Sequence, residues 1–114
     1  METIKNYTDI EQSKKLAEIL SFESADMYYA KHSLENYYCP IPFIGKYSEI
    51  HGQIPCWSLS ALLNILPDPA IVKRNNKYRC HILIQNTCYI SDTTDNPIDT
   101  CYKIILRLHK ENLL

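Results

Sequence analysis

The chain has 114 residues, 46% of them apolar and 22% charged, with 12 basic and 13 acidic side chains. Such a length and composition fit a single globular domain over residues 1–114 and exclude a chain that is disordered along most of its length. The near-neutral balance excludes overall electrostatic steering toward nucleic acid or anionic lipid, and no apolar run approaches the ~20 residues that span a bilayer.

Thr8-Asp9-Ile10-Glu11 has the spacing of a capping box, in which a threonine hydroxyl takes the amide three residues on and the glutamate reaches back. The spacing predicts a helix from there to about Ser21, packing by Ile10, Leu16, Ala17 and Leu20, with Phe22 as an anchor just beyond its end. Residues 23–53 are interrupted by Pro40, Pro42, Gly45 and Gly52, so short strands and loops are expected there, residues 43–50 being the best strand. The same stretch carries Tyr28, Tyr29, Tyr37, Tyr38, Phe43 and Tyr47, far too aromatic a set for a linker.

Pro55 and Pro67 fence the next helix. Proline disfavours helical backbone in the residue before it, and Ser58 is a good N-cap, so both ends are written into the sequence. Leu59, Ala61, Leu62, Leu63, Ile65 and Leu66 leave only Ser60 and Asn64 for a polar side, which predicts a mostly buried helix with Trp57 anchoring its start.

A β-meander follows, with strands at residues 70–74, 77–84 and 88–91. Asn75-Asn76 supplies its first turn, because asparagine tolerates the positive φ of tight hairpins. For the second turn, a three-residue loop Gln85-Asn86-Thr87 pairs Ile84 with Cys88 and Ile82 with Ile90, keeping one face apolar. A two-residue loop at Asn86-Thr87 mixes the faces, so the longer loop is preferred.

Asn96 as N-cap, Pro97 in the first helical position and Asp99 in the first turn open a terminal helix to about Glu111. Its wide apolar side, Ile98, Cys101, Tyr102, Ile105, Leu106, Leu108, His109 and Leu113, suits a helix laid across a sheet. The expected architecture is α+β: three helices packed on a small, mostly antiparallel sheet, a β-meander followed by a C-terminal helix.

Three segments taken together, Glu23-Ser24-Ala25-Asp26-Met27-Tyr28, the block from Ile54 to Leu63, and Asp95-Asn96-Pro97-Ile98-Asp99, carry a likeness. Over about residues 8–114 the chain resembles a group of short proteins carried by prophages and other mobile elements of gut anaerobic bacteria. Its shared motifs are caps and packing residues. The resemblance implies a phage or mobile-element accessory protein and assigns no catalytic residue.

Residue chemistry narrows the function classes further. Cys39, Cys56, Cys80, Cys88 and Cys101 are odd in number and contain no C-x-x-C pair, and the N-terminal stretch interleaves charges rather than forming the apolar core of an export signal. Reduced, packing thiols in a cytoplasmic protein are therefore expected. Strand alternation sends Cys80 and His81 to opposite faces, which argues against a thiol-imidazole pair there. The Cys/His spacings lack the two close pairs of a zinc site, so no metal or other cofactor is assigned. Asp92, Asp95 and Asp99 read as turn and cap residues rather than a calcium loop.

Three surfaces remain as sites. Tyr28, Tyr29, Tyr37, Tyr38, Phe43 and Tyr47 suit a protein interface, since tyrosine joins a large apolar face to a hydroxyl at little entropic cost. Lys73, Arg74, Lys77, Tyr78 and Arg79 form the one basic cluster, an alternative site in which the cations meet phosphates while Tyr78 stacks on a base. His109, inside the apolar side of the last helix, is an oligomer contact if it is not simply a core residue. The leading reading is a non-enzymatic interaction protein, binding a partner protein or itself. A nucleic-acid-binding accessory protein and a small enzyme with a pocket assembled from distant residues are the alternatives.

Overall fold

The computed structural model describes residues 5–31, 37–48 and 52–114. Among the described residues three α-helices and two three-stranded antiparallel sheets make an α+β fold with a C-terminal helix. The chain divides into two compact units, residues 7–61 and residues 1–6 with 62–114.

In residues 7–61, helix α1 (Ile10–Ala17) packs on the last strand of the sheet formed by β1 (Met27–Tyr29), β2 (Phe43–Ile44) and β3 (Ile54–Cys56), in the order β2-β1-β3. The capping box lies one residue later than its sequence signature: Asp9 is the N-cap, its carboxylate accepting the Gln12 amide at 2.7 Å while Gln12 accepts the Asp9 amide at 3.1 Å. Thr8 is unavailable as a cap because it is fully buried, its hydroxyl engaged with Ser13 and with the Trp57 amide. The helix also stops at Ala17 rather than Ser21. Phe22, expected as a core anchor, is 43% exposed and begins a short 3-10 turn, Phe22–Ser24.

The strand expected over residues 43–50 is shorter, Phe43–Ile44, and residues 49–50 lie outside the described residues. It stops at Gly45, where φ is +143° and an added Cβ would stand 3.3 Å from the Tyr28 ring. That backbone favours glycine, and the paired strand ends there with the Gly45 amide donating to the Asp26 carbonyl at 3.0 Å.

The proline-fenced helix, α2 (Leu59–Ile65), contains the point in the sequence where one unit gives way to the other. Ser58 caps it as expected, its hydroxyl oxygen accepting the Ala61 amide at 3.2 Å. Asp26 secures the cap in turn, accepting the Ser58 amide at 2.9 Å and the Ser58 hydroxyl. Ala61, Leu62 and Leu66 are buried, while Ser60 and Asn64 face solvent.

In residues 62–114 the meander is β4 (Ala70–Arg74), β5 (Lys77–Ile84) and β6 (Thr87–Ile90), covered on one face by α3 (Pro97–Lys110). Asn75 and Asn76 take φ of +52° and +60°, the paired left-handed geometry of a tight hairpin. The second turn differs from both registers that the apolar pattern suggests. Gln85 and Asn86 form a two-residue turn at φ +47° and +67°, setting Ile84 opposite Thr87 and Ile82 opposite Tyr89. Cys80 then meets Ser91 instead of Asp92: the Ser91 amide donates to the Cys80 carbonyl at 2.9 Å, and the Ser91 hydroxyl accepts the Cys80 amide at 2.8 Å.

Asn96 caps α3 as the sequence predicts, accepting the Asp99 amide at 2.8 Å while its side-chain amide donates to the Asp99 carboxylate at 2.9 Å. Asn96→Ala is expected to cost about 1 kcal/mol of stability, checked by urea unfolding; a midpoint equal to wild type would show the cap contributes nothing. The buried side of α3 is rotated from the expected arc toward Ile104, which joins Ile98, Cys101, Ile105 and Leu108. His109 is exposed instead of central to that side. No helix among the described residues is long and apolar enough to cross a membrane.

Candidate functional site

The aromatic segment divides between core and surface. Tyr29 is 1% exposed, and its hydroxyl donates to the Thr8 carbonyl at 2.7 Å, so it is a core residue rather than a contact residue. Burial pushes its hydroxyl well above the ordinary phenol range, so it remains a neutral donor. Tyr38 is half-buried with the Lys14 ammonium over its ring. Tyr28 and Phe43 are cross-strand partners whose rings stack at 5.7 Å between centroids, with Phe43 on the outer side.

Several exposed apolar groups of this unit lie in or just before β2 in sequence. Ile44 is 87% exposed, Ile41 68% and Phe43 50%, joined by Tyr37. Beyond Gly45 the chain passes into Lys46 and Tyr47, which with Phe22, Glu23 and Ala25 line a hollow of about 330 Å³, and the Phe22 and Tyr47 rings meet at 4.9 Å. Sequence reasoning named Phe43 and Tyr47 but missed Phe22, Ile41 and Ile44. Isoleucine beside proline and in a short apolar run looks like any core residue until the width of the sheet is known.

The basic cluster divides too, because neighbours on a strand face opposite ways. Lys73 is paired with Tyr78 across the β4–β5 ladder and its ammonium lies over the Tyr78 ring at 5.6 Å. The face those two share is the one α3 covers, with Cys80 and Ile82 fully buried beneath the helix. Arg74, Lys77 and Arg79 are on the other face, where with Val72, Asn75, His81 and Thr93 they line a depression of about 370 Å³. Tyr78 thus stays with Lys73 and is removed from Arg74, Lys77 and Arg79. His81 and Thr93 are additions, and the period-two run Lys77, Arg79, His81 on a strand was the legible signal for the first of them.

The buried thiols Cys56, Cys80 and Cys101 are fully enclosed. Cys56 lies under Thr8, donating to its carbonyl at 3.4 Å, and burial pushes its thiol up, so it stays protonated. Cys101 on α3 meets Cys80 on β5; the hydrogen bond between the thiols and burial together hold Cys101 far above the thiol range. Neither hollow is lined by a cysteine. Asp95 pairs with Lys77, and Asp99 accepts Lys5 at 2.9 Å, in keeping with turn and cap roles. Among the described residues no three imidazole, thiol or carboxylate groups converge as metal ligands.

The described structure therefore defines a small α+β protein with two exposed surfaces of different chemistry, one apolar and one cationic. Comparison of the chain with protein-family models, curated proteins and solved structures gives no match.

Proposed function

We propose that the chain is a non-enzymatic protein-interaction module whose contact surface is the apolar edge around β2. Ile41, Phe43 and Ile44 are all exposed within four residues of chain at the edge strand β2, and that concentration carries this reading. Large apolar side chains left exposed together in one short edge segment of a folded domain mark an interaction site, whereas scattered single residues do not. Its occupant is a protein surface, a second copy or another chain, and a net charge of −1 offers little repulsion to either. The five free thiols support a reducing compartment, taken here as bacterial cytoplasm. The resemblance of three segments to prophage and mobile-element proteins supports an accessory role in such an element.

Ile44→Asp tests the reading, since a side chain this exposed contributes little to the fold while a carboxylate in a buried contact is costly. The wild-type sedimentation coefficient is expected to rise with concentration, or the wild-type bait to capture a partner from cells, and Ile44→Asp to abolish whichever occurs with its thermal midpoint unchanged. A wild-type chain that stays monomeric and captures nothing that Ile44→Asp fails to capture overturns the proposal.

A further inference from the structure

The face of the meander left open by α3 carries a second site, independent of the apolar edge. Lys77, Arg79 and His81 stand at alternate positions of β5, the central strand, so their side chains emerge on one face roughly 7 Å apart. Arg74 joins the row from β4, directly opposite Lys77. Lys77 is held by Asp95, but among the described residues no carboxylate pairs with Arg74 or Arg79. The four groups and Thr93 surround the depression of about 370 Å³.

Two unpaired guanidinium groups on a near-neutral protein are an unspent attraction for an anion, and the planar guanidinium fork matches phosphate oxygens. The row is two residues wide only where Arg74 faces Lys77; beyond that Arg79 and His81 are flanked by Val72 and Ala70 on β4, and His81 by Ile90 on β6, which fits one strand of phosphates rather than two across a duplex groove. Its step along β5 is close to the separation of successive phosphates in an extended single strand. Tyr78 and Tyr89 are on the opposite face, Tyr78 beneath Lys73 and Tyr89 beside the Arg107 guanidinium at 6.0 Å. Among the described residues no tyrosine, phenylalanine or tryptophan ring lines the depression on the open face. We infer that this face binds the phosphodiester backbone of a single-stranded nucleic acid through Arg74, Lys77, Arg79 and His81, without reading or stacking its bases.

The test is fluorescence anisotropy of a labelled oligothymidylate about 12 nucleotides long, within the range that small strand-binding surfaces occupy. Affinity is expected to fall with salt, with a logarithmic slope of about −2 for three phosphates at about 0.7 each. Arg79→Gln and, separately, Arg74→Gln should weaken binding roughly tenfold or more, equally for oligothymidylate and oligoadenylate. Lys73→Gln, in the same sequence cluster but on the other face, should leave affinity unchanged. Both arginines are exposed, so thermal midpoints should match wild type and a loss of binding is not a loss of fold. No binding at low salt overturns the inference, as does equal weakening by Lys73→Gln and Arg79→Gln, which would indicate diffuse attraction. Thymidine monophosphate competing as well as the oligomer overturns the strand in favour of a compact phosphate ligand. Ile44→Asp should bind the oligomer as wild type does, which separates this site from the apolar edge.

Discussion

Trp57→Ala is expected to destabilise the protein by about 3–5 kcal/mol, the cost of deleting a fully enclosed aromatic side chain. Trp57 has no solvent exposure, and its indole N–H donates to the Ser24 hydroxyl at 2.9 Å. Its backbone is held as well: the carbonyl accepts the Thr8 amide at 3.0 Å and the amide donates to the Thr8 hydroxyl at 3.1 Å. Those backbone bonds survive the substitution, so the loss is in packing and in the Ser24 contact. A domain of this size has only about 5–15 kcal/mol to lose, so the variant should unfold at markedly lower urea concentration. Trp57→Phe should retain most of the stability, since Ser24 is half-buried and can turn to water. A midpoint shift for Trp57→Ala worth less than about 1 kcal/mol would mean that the indole is not packed as described.

The elements legible in the sequence were those whose ends are fixed by local backbone chemistry. Pro55, Ser58 and Pro67 set α2, Asn96 and Pro97 set the start of α3, and Asn75-Asn76 set the first hairpin, because each acts within a turn of its own position. The second hairpin was illegible for the same reason. Gln85 is an unusual residue at positive φ, and the apolar row that suggested a longer loop gives way to a turn whose twist matches the strands. Thr8 misled as a cap because its hydroxyl belongs to partners 5 and 49 residues away, which no local pattern encodes.

The sites were legible only as composition. Six aromatic residues in a short stretch announced an apolar surface, but which of them face outward depends on the pairing of β1 with β2 and β3 and on the helix beneath. Tyr29 went to the core and Phe43 to the edge on that basis alone. In the basic cluster, strand alternation was enough to separate Lys73 and Tyr78 from Arg74, Lys77 and Arg79 once the register was known. Counting charges along the chain treated as one site what the sheet makes into two faces.

Thr8→Val should cost about 2–4 kcal/mol although it changes neither volume nor shape appreciably, since each buried group left without a partner costs about 1–3 kcal/mol. The Thr8 hydroxyl accepts the Trp57 amide at 3.1 Å and shares a hydrogen bond with the Ser13 hydroxyl at 2.8 Å, and all three residues are buried. Valine strands the Trp57 amide outright and leaves Ser13 to fall back on Cys56, whose thiol it also approaches. Thr8→Ser restores both bonds and should recover most of the loss, apart from one methyl group. Ser13→Ala in the Thr8→Val background gives a sharper result: the double variant should cost less than the two single ones added together, because the second substitution removes a hydroxyl that has already lost its Thr8 partner. Chemical denaturation of the four proteins closes that cycle. Strict additivity would show that the two hydroxyls do not depend on one another.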